Sequence, residues 1–169
     1  MSSPLHPDLS LASQLLYEPA GLTITHHRTE PESQEYSACS FQLNLKKVQF
    51  RVAKITPTKN GQFVAIWRRN KKGITQPFEA TDDIDFLIIS ARNNDQAGQF
   101  LFPKPVLIEQ AIISTPQKEG KRGIRIYPPW DTPTSKQAAQ TQRWQAAWFA
   151  LLLPQPTHLQ LIKRLFCDI

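Results

Sequence analysis

The sequence is short of cysteine and of long apolar runs, and both absences narrow the class of protein. Two cysteines occur in 169 residues, Cys39 and Cys167, and neither stands in a Cys-x-x-Cys or Cys/His spacing. A disulfide framework and a zinc site are therefore not expected. The longest apolar run, residues 146–153, is far shorter than a bilayer-spanning helix, and the first residues lack the pattern of a secretion signal. We expect a cytoplasmic protein that does not enter a membrane.

Glycine is also scarce, with six residues against fourteen prolines, and the prolines stand singly between apolar segments. This spacing is typical of turns in a folded chain rather than of a disordered proline-rich tract. A chain of 169 residues is long enough to bury one ordinary hydrophobic core. We therefore expect residues 1–169 to form a single domain.

Acidic residues are absent from residues 46–72, although this segment holds nine of the 20 lysines and arginines in the chain. Apolar and polar residues alternate on either side of Asn60-Gly61, which predicts two strands joined by a tight turn. The segment thus reads as a long basic β-hairpin, and its unbalanced charge favours a polyanionic partner such as nucleic acid. A solvated, lysine-rich sheet edge is the alternative.

The remaining apolar pattern predicts an α+β fold, in which a mixed β-sheet is flanked by an N-terminal helix and two C-terminal helices. The continuous apolar run 85–90 predicts a central strand that is covered on both faces. The predicted helices cover residues 8–17, 134–153 and a segment that begins at Thr157. Beyond the hairpin, the predicted strands cover residues 22–26, 39–45, 85–90, 99–102, 106–108 and 123–127.

Several residues could carry chemistry. Lys54 follows the apolar face of its strand, so its ammonium group is predicted either to reach solvent or to point into a cleft. A basic strand leads to Trp130, which could stack on a base beside a phosphate track or fill a gap in the core. The acidic residues around Asp85 could hold Mg²⁺, or could simply lie in solvent before a strand.

Four stretches, residues 50–69, 82–89, 100–107 and 112–145, resemble the MepB family. A more distant likeness is to PD-(D/E)XK nucleases, and it implies a degenerate restriction-endonuclease-like fold. In those enzymes a Glu-x-Lys pair and an aspartate hold Mg²⁺. Residues 52–54 fall at the Glu-x-Lys position without its carboxylate, and the aspartate position falls near Asn44. This likeness implies a nuclease-type scaffold without its usual metal ligands.

The sequence therefore predicts a MepB-family protein that binds DNA or RNA and uses no cofactor or metal. A binding protein is favoured over an enzyme. One alternative is a Mg²⁺-dependent nuclease with rearranged ligands, for which the catalytic candidates are Glu35, Lys54 and Asp85. Another is an interaction module for an acidic protein partner, linked to drug response. The predicted nucleic-acid-binding residues are Lys54, Lys59, Arg68, Arg69, Lys71, Lys72, Lys121, Arg122, Arg125 and Trp130.

Overall fold

The structure is a computed structural model that describes residues 4–156 and 159–167. The predicted helix start at Thr157 lies outside the described residues. The helices are α1 (Pro7–Ala12), α2 (Lys104–Glu109), α3 (Lys136–Ala146) and α4 (Leu159–Phe166). The strands are β1 (Ile24–Thr29), β2 (Cys39–Leu43), β3 (Lys46–Val52), β4 (Lys54–Ile55), β5 (Gln62–Ala65), β6 (Arg68–Arg69), β7 (Thr75–Gln76), β8 (Phe86–Arg92), β9 (Ala97–Pro103), β10 (Gly123–Ile126) and β11 (Phe149–Leu153).

A six-stranded sheet runs through the middle of the fold in the order β1-β2-β3-β8-β9-β11. Strands β3 and β8 are parallel, with Val48 beside Phe86 and Val52 beside Ser90, and the other neighbours are antiparallel. Because β8 lies inside this sheet and is covered on both faces, its apolar run is almost continuous. The predictions of an α+β fold, a mixed sheet and a central strand near residues 85–90 are confirmed.

One face of the large sheet packs against the helices at the two ends of the described chain. Apolar residues of β3 and β8, such as Phe50 and Ile88, meet Leu9 of α1 and Ile162 of α4 in one buried cluster. The ring of Phe166 also stacks on Phe86, with 4.1 Å between the ring centroids. The flanking helices are therefore fixed by burial of apolar surface, the main favourable term in folding.

The opposite face is covered by a three-stranded sheet in the order β10-β5-β4, together with α2 and α3. Val64 of β5 and Ile126 of β10 are fully buried against the large sheet. Their neighbours along each strand point the other way, because side chains alternate in a β-strand. The small sheet thus has one face in the core and one face toward solvent.

The long basic hairpin does not form as predicted. Strand β3 pairs with β2 and β8 in the large sheet, and only β4 and β5 form a hairpin. Residues 56–61 form its loop, in which Gly61 has a φ of 76°, and the amide of Asn60 donates to Thr132 O at 2.7 Å. The hairpin around Asn60-Gly61 is therefore short, because Val48 and Phe50 of β3 are buried in the large sheet and that strand pairs there.

Two further predicted elements differ in type. Residues 106–108 belong to helix α2, which begins directly after Pro103. The predicted helix 134–153 ends at Ala146, and residues 149–153 instead form β11 beside β9. A short apolar run fits a buried helix or a buried strand equally well, and here the free edge of β9 selects the strand. No helix in the described ranges is long and apolar enough to cross a membrane.

The burial of the two cysteines differs and predicts different thiol reactivity. Cys39 is 3% exposed, and burial raises the pKa of its thiol to about 12, whereas Cys167 is exposed. Since the thiolate is the reactive form, a thiol reagent at pH 8 should label about one cysteine per folded chain, and both after unfolding in urea. A Cys167→Ser variant should lose the fast labelling. Fast labelling that persists in this variant would contradict the described packing of Cys39.

Candidate functional site

The outward face of the small sheet carries a row of basic and aromatic side chains. Arg125 on β10 stands directly opposite Phe63 on β5, and Phe63 stands opposite Lys54 on β4. Directly opposed residues of antiparallel strands share one face of the sheet. The register therefore brings together two cations that lie 71 positions apart in the sequence, with an aromatic ring between them.

Arg125 is held across this sheet by uncharged acceptors. Its guanidinium group donates to Asn60 O at 3.2 Å and to Thr56 Oγ1 at 2.9 Å, and its Cζ lies 6.0 Å from the centroid of the Phe63 ring. No carboxylate is paired with it among the residues that the structure describes. Arg125 is thus fixed in position while its full positive charge remains available.

Helix α3 lies beside β10 because the side chain of Gln145 forms hydrogen bonds with backbone groups at the edge of that strand. The Gln145 side chain accepts from Tyr127 N at 2.8 Å and donates to Arg125 O at 3.0 Å. Gln145 is 1% exposed, so these bonds satisfy backbone groups that would otherwise be buried without partners. Ser135 caps the start of the helix, because its hydroxyl accepts from Ala138 N at 3.0 Å.

A cleft of about 540 Å³ lies between β10 and α3. Among the residues that the structure describes, the charged side chains that line it are Lys59, Lys121 and Arg125, and none of the lining side chains is a carboxylate. A neighbouring hollow of about 340 Å³ shares Lys59, Arg125 and Ser135 with the cleft. The first turn of α3 borders both spaces, and the positive end of its helix dipole adds to the positive potential there. The cleft can therefore bind an anion.

Other predicted binding residues have carboxylate partners. Arg68 makes two hydrogen bonds to Asp82, at 2.9 and 3.0 Å, and lies 3.7 Å from Glu79. Arg69 lies 3.9 Å from Glu32, and its guanidinium group stands 5.3 Å from the ring of Trp67. Each of these two arginines therefore has a carboxylate of the chain beside it.

Lys54 and Arg122 are paired as well. Lys54 Nζ lies 3.8 Å from Glu35 and 5.0 Å from the ring of Tyr36, and Arg122 donates to Glu119 at 3.1 Å. Lys54 is exposed rather than placed on the apolar face, because β3 ends at Val52 before the chain enters β4. The charge of residues 46–72, unbalanced along the sequence, is partly balanced in the fold, because acids from other segments lie beside Lys47, Lys54, Arg68 and Arg69. Arg122 lies outside that segment and is paired with Glu119, three residues before it.

Lys71 and Lys72 lie in the exposed turn between β6 and β7 and have no carboxylate partner within the described ranges. Trp130 packs edge-on against Phe149, with ring centroids 5.7 Å apart and planes at 80°, next to the second buried cluster. Of the two roles left open for Trp130, the core contact is the one that the structure shows.

The catalytic candidates do not converge. Lys54 and its partner Glu35 lie near the C-terminal end of β3. Asp85 lies near the N-terminal end of the same strand, where its side chain accepts from Lys47 N at 2.8 Å. A strand rises about 3.3 Å per residue, so roughly 20 Å separates the two ends. Asn44 also lies at the first end, where its side chain accepts from Thr23 N at 3.2 Å. Among the described residues, no group of three or more His, Cys, Asp or Glu is arranged to hold a metal ion.

Sequence reasoning missed the aromatic and helical walls of the cleft, formed by Phe63, Tyr127, Trp144 and α3. It also missed Gln49 and Arg51, which lie two residues apart on one face of β3 and share a hydrogen bond of 3.3 Å. Arg51 is 2% exposed, and desolvation lowers its pKa to about 10. The i, i+2 spacing of polar residues within a strand was the available signal for this pair.

Comparison with known proteins identifies the family. The MepB-like family model matches residues 30–150, a range that contains β5, β10, α3 and the whole cleft. The chain belongs to the MepB-like family. The family predicted from the four stretches of sequence is therefore confirmed.

Two solved structures resemble this MepB-like chain. The crystal structure of MepB is 31% identical, covers 89% of this chain and 100% of its own, and superposes with a TM-score of 0.77. The structure of the bacterial homing endonuclease I-Ssp6803I is 15% identical, covers 93% of this chain and 89% of its own, and has a TM-score of 0.48. No curated protein matches the sequence.

The contacts of Arg68 predict a structural role. Replacing Arg68 by alanine should lower the free energy of unfolding by about 1–2 kcal/mol, because the Asp82 carboxylate loses two charge-assisted hydrogen bonds. Arg68→Lys should lower the free energy of unfolding less than Arg68→Ala does, but it should not restore the wild-type value, since one ammonium group cannot form the same bidentate contact. Urea unfolding measures both effects. Lys71→Ala is the control, and a loss of equal size in that variant would count against the role assigned to Arg68.

Proposed function

We propose that this MepB-like protein binds nucleic acid through the cleft between β10 and α3. The observation that carries the proposal is the uneven pairing of its cations. Lys54, Arg68, Arg69 and Arg122 lie beside carboxylates of the chain, whereas the cations lining the cleft do not. A polyanion that enters the cleft meets charge that the protein itself leaves unbalanced.

The positive surface extends from the cleft toward the turn between β6 and β7. Lys121 in the cleft is followed by Arg122, which donates to Thr75 O in β7 at 3.2 Å and so adjoins the turn that carries Lys71 and Lys72. We define the phosphate track as Lys59, Arg125, Lys121, Lys71 and Lys72. These cations can contact backbone phosphates. Such contacts give affinity and fix the register of binding, but they do not distinguish one base sequence from another.

Binding without cutting is the form of this proposal that the geometry supports. Phosphodiester cleavage of the metal-assisted kind needs carboxylates that converge on one ion. Here Glu35 and Asp85 lie at opposite ends of β3, and the cleft has no carboxylate in its lining. No Mg²⁺ dependence is therefore expected of binding.

The salt dependence of binding tests the proposal. If the five cations of the phosphate track contact phosphates, the logarithm of the association constant should fall against the logarithm of salt concentration with a slope near −4. The double variant Lys59→Ala, Lys121→Ala should flatten the slope by about 1.5 and weaken binding about 10- to 30-fold at 0.1 M salt. Fluorescence anisotropy with labelled oligonucleotides measures both quantities.

A matched control removes the same charge elsewhere. Lys46 at the start of β3 and Lys163 on α4 lie outside the cleft and have no carboxylate partner among the described residues. The double variant Lys46→Ala, Lys163→Ala should bind nearly as the wild type does. Equal losses in the two double variants, or a response to salt that is flat in the wild type, would overturn the proposed site.

A further inference from the structure

Phe63 occupies an unusual place for a phenylalanine. It lies on the middle strand of the small sheet, on the outward face, with a cation on each neighbouring strand. Its side chain lines the cleft together with Lys59, Lys121 and Arg125. Phe63 is only partly buried and belongs to neither core cluster, so the part of its ring that faces the cleft can contact a ligand.

The ring is held in place by the residues around it. A Cβ atom at Gly123 would lie 2.5 Å from Phe63 Cζ, so the absence of a side chain there lets the ring lie against the backbone of β10. Tyr36 packs against the ring on the side of β4, with centroids 6.2 Å apart and planes at 65°. Gly123 and Tyr36 therefore fix the orientation of the ring before any ligand binds.

Arg125 adds a second planar group next to the ring, with its guanidinium group over the ring of Phe63. Its guanidinium group is fixed by Thr56 and Asn60, and it stands 6.0 Å from the Phe63 centroid. Aromatic rings and arginine planes are the two side-chain surfaces on which unpaired bases stack. The same cleft presents Tyr127 and Trp144 on its other walls.

We infer that the cleft binds single-stranded nucleic acid, with one unpaired base stacked on Phe63 and the adjoining phosphates on Lys59, Lys121 and Arg125. This inference rests on the proposed function and adds the substrate class. In a duplex the neighbouring base pairs cover both faces of each base, so Phe63 has no face to stack on. A volume of about 540 Å³ is of the size that holds a small ligand, which fits one or two nucleotides rather than a double helix.

The test uses probes that share a phosphate backbone and differ in their bases. The wild-type protein should bind a 12-nucleotide single strand about tenfold more tightly than an abasic strand of equal length, and more tightly than the duplex of the same sequence. A DNA arm and an RNA arm, run side by side, show which sugar is preferred. Equal affinity for the normal and abasic strands in both arms, or tighter binding of the duplex, would refute the inference.

Variants of Phe63 separate stacking from charge. Phe63→Leu keeps an apolar contact with Tyr36 and should lose about tenfold in single-strand affinity with an unchanged salt slope, whereas Phe63→Tyr should bind as the wild type does. Phe166→Leu, which removes a partly buried ring on α4, is the control and should not alter binding. Thermal unfolding checks that each variant is folded. If Phe63→Leu does not fold, the abasic comparison on the wild type still decides the question.

The two proposals fail in different ways. If Lys59→Ala, Lys121→Ala binds every probe as the wild type does, the cleft is not the nucleic-acid site and both proposals fall. If that double variant loses affinity for all probes while Phe63→Leu loses none, the phosphate track stands and base stacking is refuted. Loss in both variants, with the salt slope changed only by the lysine substitutions, is the expected result.

Discussion

The parallel pairing of β3 with β8 is the constraint from which the rest of the fold follows. Parallel neighbours cannot be joined by a tight turn, so the chain between Val52 and Phe86 must cross one face of the sheet. In this protein the crossing segment contains β4, β5, β6 and β7 rather than a long helix. Apolar side chains such as Val64 and Ile66 are buried beneath it, and its cations are placed on the outside.

That placement decides which charges are balanced. Acids from before the crossing and from its last residues lie beside several of its cations, as Glu35 does for Lys54 and Asp82 does for Arg68. Strand β10 and the residues just before it then add Arg125 and Lys121 from a distant part of the sequence, and the strand meets α3 through Gln145. No acid from the described part of the chain lines the resulting cleft. Three cations from distant parts of the sequence, Lys59, Lys121 and Arg125, thus line one cleft.

Much of the fold was predictable from the sequence, and the site only in part. The central strand β8 was predictable because its apolar run is buried on both faces, which leaves a local pattern. The basic hairpin and the end of helix α3 were not, since each depends on which distant edge a short apolar segment can reach. The likeness to restriction-endonuclease-like nucleases stays a prediction. Ion pairs such as that of Arg69 with Glu32 join separate segments, so no count of charges along the chain could show them.

Arg68 and Arg125 show how the partner of a side chain determines its use. Both are partly buried arginines with two fixed contacts, but Arg68 is bound to a carboxylate and Arg125 to a hydroxyl and a backbone carbonyl. In an ion pair the charge of the arginine is offset by a carboxylate of the protein. Neutral acceptors also restrict the guanidinium group, but they do not offset its charge. Since less side-chain freedom remains to be lost on binding, a fixed but unneutralised arginine favours an external anion more than a mobile surface lysine does. By this reasoning Arg125, rather than the denser cluster of basic residues in the crossing segment, is the centre of the proposed anion site.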